Sequence, residues 1–205
     1  MTTQSQRKKA RLLEASRELF LERGYRDVLV DEIAKKAGIS KVTLYRHFPS
    51  KEDLYVQIVH DLTDEHYDKV EREISTLPGA VQKLECLLQM TSRAYDQMTP
   101  AFLRDMLSDG PTWPRIYAYR RDRATCLLRT ILSEGVASGQ LRPLDVEATI
   151  SLLLALGQAL PGLCPSGDPA LARRFMNNYY AFVLNALCNP LDVSCLKGEN
   201  DYDDV

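Results

Sequence analysis

No two of the five cysteines, Cys86, Cys126, Cys164, Cys188 and Cys195, stand in a C-x-x-C pair, and their number is odd. That spacing speaks against a disulfide framework and against a thiolate zinc site, and it suits a reducing, intracellular compartment. Histidine is scarce as well. His47, His60 and His66 all lie in the first third, with no serine or cysteine constellation nearby and no glycine-rich phosphate loop in the chain, so an enzyme is not expected. No cofactor motif is present. His60 and Asp64 are four residues apart and would share one helix face, but such a pair is ordinarily solvated rather than metal-bound. The longest apolar run, ISLLLALGQALPGL at 150–163, falls short of the roughly 20 residues that span a bilayer. It is expected to form a helix buried on several sides, with no membrane as partner. The opening MTTQSQRKKAR has no apolar core, so a secretory signal is not expected, and no stretch alternates as a strand would.

What is present is helical. The 205 residues are 45% hydrophobic and 26% charged, the composition of a folded chain rather than a disordered one. The net charge of -2 conceals an uneven distribution. Residues 1–52 carry 12 Lys and Arg against 7 Asp and Glu, whereas the remainder carries 14 against 21. A basic end attached to an acidic body points to phosphate at one end only.

Breaks recur at helical intervals. Leu12, Leu13, Ala15, Leu19 and Phe20 form one face of a first helix that stops at Gly24; Ile33, Ala34 and Ala37 belong to a short second helix ending at Gly38, where glycine can adopt the left-handed conformation that closes a helix. Ser40 caps a third helix. Ser50, with Asp53 three residues on, caps a fourth that runs to the Leu77-Pro78-Gly79 break. Thr99-Pro100 and Asp168-Pro169 each place a capping side chain before a proline suited to the first helical position. Further helices are expected at about 80–98, 100–108, 113–137, 145–160 and 169–188. The tail GENDYDDV is too acidic to pack, and residues 191–205 are expected to be disordered.

Residues 31–48 have the spacing of a helix-turn-helix: small Ala34 for a close crossing, Gly38 in the turn, and Ile39, Leu44 and Phe48 to pin the second helix. With those three facing inward, Lys41, Val42, Thr43, Tyr45, Arg46 and His47 are left outside. A helix entering the major groove needs such a set to reach base edges and phosphates while its other face stays anchored. Lys51 begins the next helix, where free N–H groups and the helix dipole favour a phosphate. A single Lys or Arg on a helix is ordinarily just solvated; the pinned stripe, the caps and the regional charge together make the case.

Residues 10–55 resemble the N-terminal domain of the TetR family of bacterial transcription regulators, through Leu19-Phe20, Gly24-Tyr25, Ile33-Ala34, Ala37-Gly38-Ile39-Ser40, Thr43-Leu44-Tyr45, His47-Phe48 and Ser50-Lys51-Glu52. The resemblance implies an all-α protein of about nine helices that pairs as a homodimer. It divides the chain into a DNA-binding unit at 1–50, a linking helix at 51–76 and an effector-binding and dimerisation unit at 77–190. It also implies that Lys41, Thr43, Tyr45 and His47 lie at the DNA surface, with Tyr45 and Lys51 on phosphates. Two residues depart from the family pattern: Val28-Leu29 stands where Thr or Ser is usual, removing a helix cap, and Val42 replaces a frequent glycine, which would set its methyls against a thymine methyl. Arg7, Lys8, Lys9 and Arg11 are candidates for an arm along the DNA backbone.

Helices at 145–160 and 169–188 carry apolar residues on too many sides for one subunit to cover, so a homodimer through them is expected. The middle helices would enclose a sensor pocket walled by Met90, Tyr95, Met98, Phe102, Met106, Trp113 and Tyr117, which suits a small apolar or aromatic effector. Arg120 and Arg121 would meet an anionic ligand only if they point inward, and a YRRDR stretch ordinarily faces solvent. The expected function is a cytoplasmic, ligand-responsive repressor on a palindromic operator. The rival readings are an activator or a ligand-independent nucleoid or division-associated DNA binder.

Overall fold

The computed structural model describes residues 3–107, 110–163 and 168–188. Cys164, Cys195 and the acidic tail lie outside them. Among the described residues nine helices follow in order: α1 Thr3–Arg23, α2 Val30–Ala37, α3 Lys41–His47, α4 Lys51–Ile74, α5 Ala80–Asp96, α6 Pro100–Met106, α7 Trp113–Ala137, α8 Val146–Leu163 and α9 Pro169–Leu187. The single β-bridge among them joins Leu141 to Cys188. No helix among the described residues is long and apolar enough to cross a membrane, and Cys86 and Cys126 are free thiols.

The helix ends follow local chemistry. Gly24 and Gly38 take φ of 79° and 62°, a region that costs an L-residue with a Cβ. Ser40 accepts from the Thr43 N–H, Ser50 from Asp53, Thr99 from Phe102 and Asp168 from Ala170. At α2, where Leu29 offers no capping oxygen, half of a capping box survives. The Glu32 carboxylate reaches back to the Leu29 N–H at 2.8 Å and is itself held by Arg23 at 2.8 Å. The missing hydroxyl is thus offset by an acidic residue in the first turn.

One continuous core runs from Leu12 to Cys188. The helix α1 packs on α2, α4 and α6; α4 packs on α5 and α7; α5 packs on α7 and α9; and α8 lies against α7 and α9. Tyr55, fully buried, meets Phe20 edge-on at 5.2 Å and Phe102 at 6.1 Å. These rings join α1, α4 and α6 at the centre of the molecule. The expectation that 150–163 would be buried on several sides does not hold within one subunit: Ile150 is buried, but Leu152 is 69% exposed and Leu156 is also exposed. On α9, Met176, Tyr180 and Val183 face the core while Phe182 is 67% exposed. Each of the two helices has too little chain behind it to cover both faces.

Candidate DNA interface and effector cavity

The recognition element is held from one side only. Leu44 and Phe48 are buried and Ile39 is half-buried, whereas Lys41, Val42, Tyr45 and Arg46 project outward, Val42 with 78% and Tyr45 with 46% of its surface exposed. Thr43 is half-buried, and its hydroxyl lies 3.0 Å from that of Ser40. Lys41 pairs with Asp31 at 2.6 Å, both exposed, a contact a phosphate would easily replace. His47 is half-buried, with no partner for Nε2 among the described residues. Burial, then the positive Arg46, Lys9 and Lys8, holds its pKa below the ordinary histidine value.

Two basic residues do more than meet solvent. Lys51 is half-buried with Nζ 4.3 Å over the Tyr25 ring, and Tyr25 donates to Glu52 at 2.5 Å. Arg11 does not belong to a free arm. It lies within α1 and donates through Nε to the Ala37 carbonyl at 3.0 Å and through Nη2 to the Gly38 carbonyl at 3.0 Å, so it caps the end of α2. Arg7 and Lys8 are also part of the helix, and Lys9 sits over the Phe48 ring at 5.7 Å.

A cavity of about 1060 Å³ opens between α4, α5, α6 and α7, and Met90, Tyr95, Met98, Phe102 and Met106 line it. Trp113 and Tyr117 instead line a second cavity of about 140 Å³ on the other side of Tyr95, toward α8 and α9. Tyr67, Thr91, Tyr95 and Arg120 border both. The YRRDR stretch therefore splits three ways. Arg120 faces the cavities, Arg121 pairs with Asp122 at the surface, and Arg123 bonds Asp68 at 2.7 Å on α4. Spacing carried the signal: Arg120 is four residues after buried Ile116 and seven before buried Leu127, on the inward stripe of α7.

His66 and Tyr67 of α4 are further wall residues that composition did not single out. Burial, reinforced by Arg120 and Lys69, pushes the His66 pKa down to about 4. An unfolded histidine titrates near 6.5, so the unfolded chain binds the extra proton first on acidification. Stability associated with His66 is complete above that value and declines as pH falls toward 4, by at most about 1.4 kcal/mol per pH unit. Thermal melts at pH 7 and pH 5 are expected to show a drop that His66→Gln reduces; an equal drop in the variant would rule this out.

Two sets of contacts tie the cavity walls to the DNA end. Along α4 and α7, Arg115 meets Asp53 at 2.9 Å, Tyr119 donates to Asp64 at 2.7 Å and its ring stacks on His60 at 3.9 Å. His60 and Asp64 are thereby engaged with α7. From α6, buried Asp105 accepts from the Arg26 N–H at 2.8 Å, and the Thr99 hydroxyl donates to the Leu21 carbonyl at 2.7 Å. A Cβ on Gly24 would lie 2.6 Å from the Asp105 carboxylate and 2.8 Å from the Ala101 carbonyl oxygen. Glycine is needed there for close approach as well as for its φ.

Among the described residues, an outward-facing third helix pinned from behind and a cavity-bearing helical body make a helix-turn-helix architecture. The family profile described as bacterial regulatory proteins of the TetR family matches residues 12–58. The transcriptional repressor KstR2 of Mycolicibacterium smegmatis is 26% identical over 182 residues, 86% of this chain and 88% of its own. The transcriptional regulator RutR of Escherichia coli K12 is 29% identical over 167 residues, 77% and 76% of the two chains. Among solved structures, FadR of Bacillus subtilis in complex with stearoyl-CoA superposes with a TM-score of 0.64 at 20% identity, covering 87% of this chain and 98% of that one. Through residues 12–58 the chain carries a TetR-family DNA-binding domain, and it is a DNA-binding transcriptional regulator.

Proposed function

We propose that the protein is a ligand-responsive repressor that binds a palindromic operator as a homodimer. The observation that carries this reading is the course of α4. Its first residue, Lys51, adjoins the recognition helix, while Val59, Leu62, Thr63, His66 and Tyr67 further along form cavity wall. One rigid helix therefore borders both sites. Lys41, Val42, Thr43, Tyr45, Arg46, His47 and Lys51 form the duplex-contacting set, with residues 1–50 as the DNA unit and 77–190 as the effector and pairing unit. The exposed Leu152, Leu156 and Phe182 of α8 and α9 are apolar surface that a second copy would cover. Effector filling the large cavity would favour a different tilt of α4 and separate the two recognition helices from adjacent groove segments. Coupling of about 1 to 3 kcal/mol is the usual scale, and KstR2, a named repressor, supports that direction of control. A soluble, cytoplasmic protein is the setting this implies.

Selection of bound sequences from a random duplex pool at about 0.15 M salt, with sedimentation of the protein alone, tests the reading. A palindromic consensus and a dimeric mass are expected. A monomer without sequence preference would overturn it.

A further inference from the structure

Resting on the reading of this cavity as the effector site, we propose that the effector is an organic carboxylate with an apolar body, its carboxylate received by Arg120 and the Tyr180 hydroxyl at the wall between the two cavities. Arg120 differs from the other arginines of α7. Arg115, Arg121, Arg123 and Arg129 pair with Asp53, Asp122, Asp68 and Glu147 respectively. Arg120 pairs with no carboxylate among the described residues; its Nη2 donates to the Tyr95 hydroxyl at 2.8 Å and its Nη1 lies 3.5 Å from the Met106 sulfur. Both partners are neutral, so among the described residues the guanidinium charge has no counterion where solvent is largely excluded, an arrangement that favours uptake of an anion.

Tyr180 supplies the second, independent observation. It projects from α9 into the wall of the smaller cavity that Arg120 also borders. Its hydroxyl is buried with no hydrogen-bond partner among the described residues. A buried donor without an acceptor is costly, and it asks for the same kind of group as the guanidinium. A ligand oxygen bearing negative charge would meet both needs.

The surroundings narrow the ligand further. One guanidinium and one hydroxyl balance a single negative charge, and the planar fork matches a carboxylate better than a tetrahedral dianion. Lys69 and Arg93 also line the larger cavity, but both are exposed and stand among Glu65, Glu73 and Glu85. They form a mixed-charge rim rather than a second anion site. From the Arg120 end the larger cavity continues past Met98, Phe102 and Met106, a thioether and aromatic surface that suits a hydrocarbon or aryl body.

Titration of the full-length protein with straight-chain and aryl-substituted carboxylates of six to twelve carbons, and with their matched primary amides and alcohols, tests the assignment by calorimetry and by the fluorescence of Trp113. At least one acid is expected to bind about tenfold or more tightly than its amide and alcohol, the worth of a charge-assisted hydrogen bond. Arg120→Gln is expected to remove that preference and leave alcohol binding nearly unchanged, and Tyr180→Phe to weaken it less. The ligand-free Arg120→Gln protein is expected to melt at or above the parent temperature, because an uncompensated charge has gone. Equal binding of acid and alcohol, no binding by any acid at millimolar concentration, a preference surviving in Arg120→Gln, or a markedly lower melting temperature in that variant would each overturn the proposal. Duplex selection run in parallel separates the two readings. A palindrome released by an uncharged ligand alone defeats the carboxylate and leaves the regulator standing, whereas absence of any duplex preference defeats the regulator.

Discussion

A chain carrying Lys41→Glu and Tyr45→Ala is expected to lose about 100-fold or more in affinity for its selected duplex at about 0.15 M salt. Each substitution would act twice in a dimer, and loss of the Lys41 cation from both subunits should also lower the slope of log affinity against log salt by about 2. Both residues lie on the outer face of α3, and the ion pair from Lys41 to Asp31 is solvent-exposed. Folding stability is therefore expected to change by no more than about 0.5 kcal/mol per site. Fluorescence anisotropy on the selected duplex, with a thermal melt as control, checks both parts. Unchanged affinity in a folded double variant would remove α3 from the interface. Lys51 is a poorer probe, because its ammonium rests on Tyr25 beside Glu52 and its loss would disturb packing as well as phosphate binding.

Asp105→Ala is the variant expected to uncouple the two ends of the molecule. The carboxylate is almost fully buried and takes a 2.8 Å hydrogen bond from the Arg26 N–H and another from Arg104 Nε at 2.8 Å. On the same short helix, Phe102 and Met106 line the large cavity. The helix α6 therefore touches the large cavity with one face and the corner between α1 and α2 with the other. Removal of the carboxylate is expected to cost about 1 to 3 kcal/mol of stability, since the part-buried Arg26 N–H loses its acceptor. The more telling result is functional. Effector should still bind, but its effect on duplex affinity should shrink toward zero from the about 5- to 150-fold typical of such coupling. Measurement of duplex affinity with and without effector, in parent and variant, decides it; full retention of the effector response would place the coupling on the contacts between α4 and α7 instead.

The helices were legible because their stop and start signals are local. Gly24 and Gly38 take the left-handed conformation, and Ser40, Ser50, Thr99 and Asp168 each accept the N–H that their position in sequence led one to expect. The outward set on α3 was legible for a related reason: once Leu44 and Phe48 are assigned inward, helical geometry places Lys41, Val42, Tyr45 and Arg46 outside. Arg11 was misread, because a basic residue near a terminus looks the same in sequence whether it is solvated or, as here, bonded to carbonyls 26 and 27 positions away. In sequence the candidate wall residues form one group of apolar middle-helix side chains, whereas their division between two cavities depends on which way Tyr95 and Arg120 project.

Local chemistry alone determined the helical class, the positions of the breaks and the polarity of the third helix, since capping, backbone preference and a 3.6-residue period act within a few residues. Tertiary structure decided the rest: that Arg120 faces inward with no carboxylate partner among the described residues while Arg121 and Arg123 find theirs, that Asp105 reaches from α6 to the N-terminal corner, and that Tyr180 is buried without an acceptor among those residues. Those outcomes depend on packing between helices far apart in the chain, where burial and charge are settled by neighbours that no local window contains.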